Sequence, residues 1–238
     1  MQWRAPSPQV RNGASRLALQ PTNVNELREC GLLDWSIVHS LNGFLFHHDT
    51  VEYPLLWWAE NAELLFLVFV LGLVAFARHQ RFAPVRRAAV AAGLSAGLGL
   101  LVGKIITEFY DRARPFVAHP GVVHLFASHG RDASFPSDHA TASMAIAVAL
   151  LLRRRFRLGA LALVSAVILD FARVAVGFHY PTDVLGGAAI GALAALALWA
   201  SQPRQLINAI SNFAGGWWDR VLDAALKRIL RVGVAESR

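Results

Sequence analysis

The sequence of 238 residues has little of what a water-soluble protein uses to meet its solvent or to staple itself. It holds a single cysteine, Cys30, so no disulfide can close within one chain, and no His/Cys spacing resembles a structural zinc site. Charged residues are only 16% of the chain, against about 25% in soluble domains. That is too little polar surface to cover a globule of this size. Polar bias is lacking as well: hydrophobic residues make up 55%, which excludes general disorder. Acidic residues are the scarcer sign, 16 against 23 basic, giving a net charge of +7. Such a balance fits nucleic-acid binders, but here the basic residues lie in short runs between apolar stretches, a pattern that sets membrane orientation and argues against a nucleic-acid partner. A length well under roughly 300 residues predicts one domain.

What is present is a series of apolar runs, at about Leu55–Ala77, Ala88–Ile106, Ser137–Leu152, Leu158–Phe178 and Val184–Ala200. About 20 helical residues cross a bilayer. Lipid admits only helices or closed barrels, because no water satisfies a free backbone there, and turn signals at strand spacing are lacking. The expected fold is all-α: a polytopic membrane bundle of about five transmembrane helices with amphipathic interfacial helices at each end. The loop Arg78–Arg87 and the turn Arg153–Arg157 are arginine-rich and are expected in the cytoplasm. The connections Thr107–Pro136 and His179–Asp183 then share the extracytoplasmic side of the inner (plasma) membrane. Residues 1–30, with Pro6, Pro8, Gly13 and Pro21 and no secretory h-region, read as a flexible extension. Residues 31–201 read as the membrane domain and 202–238 as a cytoplasmic amphipathic segment. Leu32–Phe46 carries an apolar face (Leu33, Ile37, Leu41, Phe44, Leu45) beside Asp34, His39 and Asn42, which suits an interfacial helix. Gln205–Arg231 interleaves apolar residues, Trp217 and Trp218 among them, with arginine and lysine, as a helix on an anionic lipid surface does.

Three polar clusters fall at the outer ends of these spans, where alternate helix ends meet. They are Lys104 with Arg112-Ala113-Arg114-Pro115-Phe116, then Phe135-Pro136-Ser137-Asp138-His139, then Arg173, His179 and Asp183. Taken singly, each has a plain explanation: a snorkelling cation, a helix cap, or an ion pair such as Arg173 with Asp170. Together they describe an anion site. Pro136 suits a first helical position, so Ser137, Asp138 and His139 would lie where unpaired N–H groups and the dipole attract phosphate. Asp183, one turn into the next helix, can reach back toward His179 and leave its Nε2 free as a nucleophile. A metal would need more carboxylates or histidines here, and the arginines would repel it. No cofactor is expected.

Arg114-Pro115, Pro136-Ser137-Asp138-His139 and Arg173-x5-His179-x3-Asp183 resemble the motifs of the type 2 phosphatidic acid phosphatase family, whose core is shared with vanadium haloperoxidases. The resemblance runs from about Asp34 to Ala200. Gly177–Gly187 with Arg114–Val117 is similar to the bacterial undecaprenyl-diphosphatase branch in particular. Two departures stand out: Ala172 replaces a serine of the third motif, and the lysine of the first motif falls at Thr107, with Lys104 one turn deeper and Glu108 able to capture it. Arg112 is the rival for that missing charge. The resemblance implies that His179 attacks phosphorus, Asp183 orients it, and His139 protonates the leaving oxygen and later activates water. It implies that Arg114, Arg173 and Ser137 hold the phosphoryl oxygens; Lys104 and Arg112 are read from their positions as further phosphate ligands. The expected function is a membrane phosphohydrolase acting on a lipid diphosphate, with no metal, and with oligomeric state left open. Alternatives are a phosphatidylglycerophosphate or phosphatidic acid phosphatase, a haloperoxidase, and a non-catalytic lipid-phosphate transporter or binding protein.

Overall fold

The computed structural model describes residues 24–77, 80–213, 215–216 and 219–220. The helices are α1 (Val24–Phe46), α2 (Asp49–Phe76), α3 (Ala83–Phe109), the single turn α4 (Pro115–Ala118), α5 (Asp138–Leu152), α6 (Phe156–Ala175) and α7 (Pro181–Trp199). A last helix, α8, runs over 201–213. No strand occurs among the described residues, and the protein is the all-α membrane bundle that its composition calls for. Helix α1 begins at Val24, inside the stretch expected to be an extension; the expectations for 1–23, for Trp217 and Trp218, and for 221–238 lie outside the described residues.

Helices α2, α3, α6 and α7 are each long and apolar enough to cross a membrane, whereas α5 has 15 residues. At 1.5 Å per residue α5 spans about 22 Å, short for a free crossing. Its surroundings explain this. It is the central helix, packed against α7, α3 and α6, so its length answers to protein neighbours more than to lipid. The bundle is inside-out relative to a soluble one. Small residues fill the interior (Ala88, Ala92, Ala145, Ala149, Ala162, Ala166), while Leu64, Leu101, Val164 and Leu193 face outward. Among lipid tails there is no hydrophobic drive to bring helices together, so close backbone approach through small side chains takes its place.

Gly191 marks that approach. A Cβ there would strike the Thr141 carbonyl of α5, and one at Gly187 would strike the Ser137 carbonyl. Because α5 and α7 carry the second and third polar clusters at their starts, this contact sets the distance between the two halves of the site.

α1 differs in orientation from the expectation drawn from its apolar residues. Leu33, Ile37 and Phe44 point outward, and Asp34, Val38, Asn42 and Leu45 point into the protein. The turn of the helix separates these two stripes at i, i+4 spacing. Asn42 makes three hydrogen bonds inside: Oδ1 accepts from His124 N at 2.8 Å, and Nδ2 donates to the His124 and Ala175 carbonyls. At the other end of the bundle, α8 folds against the arginine-rich turns. Arg153 donates to Asn208 at 2.5 Å and Arg87 to Asn212 at 2.8 Å.

Gly191→Val should lower stability by about 1–3 kcal/mol, the usual cost of overpacking, seen as a reduced thermal midpoint in detergent. Gly72→Val, where nothing lies within 4 Å of the added carbon, should leave the midpoint close to that of the parent.

Candidate active site

The site begins with the way α6 stops. Gly177 adopts φ +78°, a left-handed conformation open to glycine, and the amides of Phe178 and His179 both turn back to the Arg173 carbonyl, at 3.1 and 3.3 Å. This ends the helix at Ala175, short of the Phe178 expected from hydropathy, and seats His179 directly above Arg173. Both side chains are 2% exposed.

Each nitrogen of His179 then has a defined partner. Nδ1 lies 2.8 Å from the Ser134 carbonyl, which can only accept, so Nδ1 carries the proton. Nε2 lies 3.0 Å from Arg114 Nη1 and 3.2 Å from Arg173 Nη2. Guanidinium groups only donate, so Nε2 is unprotonated and holds a lone pair aimed between two cations. Burial first, then Arg173 and Arg114, push the imidazole well below its usual pKa and keep it neutral. Such a nitrogen has the chemistry of a nucleophile, and the two guanidiniums beside it have the chemistry of anion donors.

Asp183 is placed differently from the sequence reading. Its Oδ2 is 4.0 Å from Nδ1, beyond hydrogen-bond reach. Instead Oδ2 accepts from Ser134 Oγ at 2.5 Å and from the Tyr180 amide at 2.9 Å. The carboxylate therefore holds Ser134, and the Ser134 carbonyl holds the imidazole.

Arg114 and Arg173 open onto a cavity of about 710 Å³, lined also by Glu63, Lys104, Arg131, Asp138, His139 and His179. Arg173 additionally donates to the Ala59 carbonyl and meets His129 Nε2 at 3.2 Å; it makes no ion pair with Asp170, whose Oδ1 is buried without a partner among the described residues. Arg114 pairs with Asp132 at 3.1 Å, and Asp132 is 69% exposed, so this contact is weakly held. His139, on the first turn of α5, presents Nε2 to Glu63 of α2 at 3.3 Å. Through Glu63, Leu100 and His139 the polar cavity runs into an apolar groove of about 540 Å³ between α2, α3 and α5.

The structure thus gathers His179, His139, Arg114, Arg173 and Lys104 around one cavity. Lys104 stands at its rim, 77% exposed and 3.9 Å from Glu108. Two expected phosphate ligands lie elsewhere. Ser137 is fully buried and its hydroxyl caps α5, accepting from the Ala140 amide. Arg112 is turned away from the cavity: its two terminal nitrogens donate to Asp183 and Asp34, each at 2.7 Å, and its guanidinium lies 4.1 Å from the Tyr180 ring. Burial opposes its charge, but Asp34 and Asp183 outweigh this and hold it above its usual range. Sequence reasoning missed Glu63, His129, Asp132 and Ser134. Glu63 carried a readable signal, a carboxylate inside an apolar span, where charge is expensive.

The cavity and bundle together define a helical membrane protein with two buried arginines and a neutral histidine facing one cavity. The chain belongs to the PAP2 superfamily, whose family model matches residues 88–207. Among curated relatives, undecaprenyl-diphosphatase BcrC of Bacillus subtilis strain 168 is 34% identical over 154 residues, 65% of this chain and 76% of that protein. Among solved structures, Aquifex aeolicus LpxE aligns with a TM-score of 0.55 at 21% identity, over 68% of this chain and 92% of that one. A transmembrane PAP2-type phosphatidylglycerolphosphate phosphatase from Bacillus subtilis aligns at 0.52 and 24% identity, over 74% and 86%. Both structural likenesses concern the fold.

His129, between Arg173 and the Phe178 ring, is pushed down to about 4 by burial and by Arg173 and Arg114. Its folded pKa is the lower one, so between about 6.5 and about 4 the unfolded chain takes up a proton that the folded chain refuses. Stability is fully present above that window and falls as pH falls through it; His179 adds in the same sense. The apparent thermal midpoint in detergent should therefore drop from pH 7.5 to pH 5, and less steeply in His129→Gln.

Proposed function

We propose that this PAP2-type lipid phosphatase removes the terminal phosphate of a long-chain prenyl diphosphate, undecaprenyl diphosphate in a bacterial membrane, through a phosphohistidine on His179. The observation that carries the reading is the Nε2 lone pair held between Arg114 and Arg173. His179 Nε2 attacks the terminal phosphorus, and the bond from that phosphorus to the bridging oxygen breaks. His139 gives its proton to the departing lipid monophosphate. Water then attacks the phosphohistidine, returns a proton to His139 and releases inorganic phosphate, restoring Nε2. Arg114 and Arg173 stabilise the equatorial oxygens as charge spreads over them. The charge neutralisation that magnesium provides in other phosphoryl transfers is met here by arginine, so the reaction needs no metal.

Two features support a diphosphate lipid. The apolar groove beside His139 offers a path for the chain, and Lys104 and Arg131 at the cavity wall supply cations beyond the pair that faces Nε2. The likeness to the undecaprenyl-diphosphatase relative points the same way. The reaction is placed at the extracytoplasmic face of the inner membrane, opposite the arginine-rich turns. A phosphatidylglycerophosphate substrate, an alternative that the sequence already offers, is the second reading.

His179→Ala should abolish turnover, and labelled phosphate should be trapped on His179 in acid-labile form in the parent; full activity in the variant would sink the mechanism. Activity should survive EDTA and fall with vanadate. On a substrate panel kcat/KM for a long prenyl diphosphate should exceed that for phosphatidic acid or phosphatidylglycerophosphate by at least about tenfold, equivalent to ~1.4 kcal/mol. One extra charge-assisted hydrogen bond, worth roughly 1.5–3 kcal/mol, suffices for that difference. Equal rates would replace the substrate while leaving the phosphohistidine chemistry in place. A cysteine at Gly130 should react with an impermeant reagent in intact cells and one at Phe156 should not; the reverse would move the site to the cytoplasm.

A further inference from the structure

The match to the family spans 88–207, and α1 lies wholly outside it. Yet α1 delivers a carboxylate to the groups behind His179. Asp34, 5% exposed, accepts from Arg112 Nη2 at 2.7 Å, from the Thr182 amide at 3.1 Å and from the Thr182 hydroxyl. Arg112 spans the gap, with Nη1 donating to Asp183 Oδ1 and to Thr182 Oγ1, both at 2.7 Å. The other oxygen of Asp183 holds Ser134, whose carbonyl fixes His179 Nδ1–H. The connection is unbroken from α1 to the nucleophile: Asp34, Arg112, Asp183, Ser134, His179.

We propose that Asp34 and Arg112 form a clamp that positions the nucleophile, making α1 part of the catalytic apparatus. Both are positioning residues. Arg112 does not contact substrate; it holds one oxygen of Asp183 so that the other stays on Ser134. Asp34 fixes the planar fork of Arg112, which without it would have a single carboxylate and freedom to swing toward the cavity. Asp34 also ties down the first turn of α7 through Thr182, so the clamp holds Thr182 and Asp183 together. α1 enters the site through its inward stripe, and its outward stripe of Leu33, Ile37 and Phe44 is left to the lipid interface.

The proposal rests on the phosphohistidine reading, and the test separates the two. Detergent-purified variants are assayed on a long prenyl diphosphate, with thermal midpoints recorded alongside. Asp34→Asn and Arg112→Gln should each lower kcat by about tenfold to a hundredfold, the scale of small misplacements, with KM nearly unchanged. Arg112→Lys should recover only part of the loss, since an ammonium cannot bridge two carboxylates as a fork does. The double variant Asp34→Asn/Arg112→Gln should be no worse than Arg112→Gln, because both remove one clamp. In single turnover the slowed step should be labelling of His179. A raised KM with unchanged kcat in Arg112→Gln would return Arg112 to the substrate and overturn the clamp. Unchanged kcat in Asp34→Asn would also overturn it. Should that variant fail to accumulate, Thr182→Val removes only the hydroxyl that both partners share; a loss confined to kcat supports the clamp, and full kcat overturns it. His179→Ala in the same series identifies which idea has failed. Turnover in it sinks the covalent reading; its inactivity beside a fully active Asp34→Asn sinks the clamp alone.

Discussion

A histidine side chain has two ring nitrogens, and in this protein both are spoken for by groups with no choice of role. The Ser134 carbonyl can only accept and the guanidiniums of Arg114 and Arg173 can only donate, so the proton sits on Nδ1 and the lone pair on Nε2. Much of the surrounding architecture answers to that assignment. The left-handed turn at Gly177 exists to bring His179 back over Arg173, and the glycine contact between α5 and α7 sets how near the His139 cluster can come.

Such an assignment is costly to build in lipid. Arg173 is 2% and Arg114 5% exposed, and an isolated buried cation would be expelled or lose its charge. The structure compensates in pieces: carbonyls of Ala59, Phe178 and Asp132, the neutral His129, and the exposed carboxylate of Asp132. None is a full buried counterion. The Nε of Arg173 has no partner at all among the described residues. A pocket left short of negative charge in this way favours an anion, which is what the proposed reaction asks of it.

The fold was legible because lipid removes options. Apolar runs of the right length can only be helices, and their boundaries were displaced where local chemistry intervened, as at Gly177, where a single residue ends α6 earlier than hydropathy does. The three clusters were legible because polar residues are rare in such a chain. Long-range partnership was not. Nothing in the sequence says that Asp34 meets Arg112, far along the chain, or that Ser134 stands between Asp183 and His179, since both depend on how α1 and the loop before α5 fold over the ends of other helices. Arg112 was read as a phosphate ligand because it neighbours Arg114 in sequence. Sequence proximity does not fix where two side chains on a loop go, and Arg112 went to the two carboxylates that could hold both ends of its fork.

α1 shows why a surface helix can carry polar residues inward. In a soluble protein its apolar stripe would face the core, and Asp34 and Asn42 would face water. Here the surroundings of the bundle are themselves apolar, so Leu33, Ile37 and Phe44 lose nothing by facing out, and burying them would gain little. The polar residues have the opposite preference: in lipid they would have no partners, whereas inside they meet Arg112, Thr182, His124 and Ala175. Val38 and Leu45 still pack against α6 and α7, and burial strengthens the hydrogen bonds of Asp34 and Asn42 because the local dielectric is low. A helix attached in this way is held by apolar contact and, through Asp34, by groups that lead to His179. Its docking and the geometry of the proposed nucleophile are then two aspects of one network.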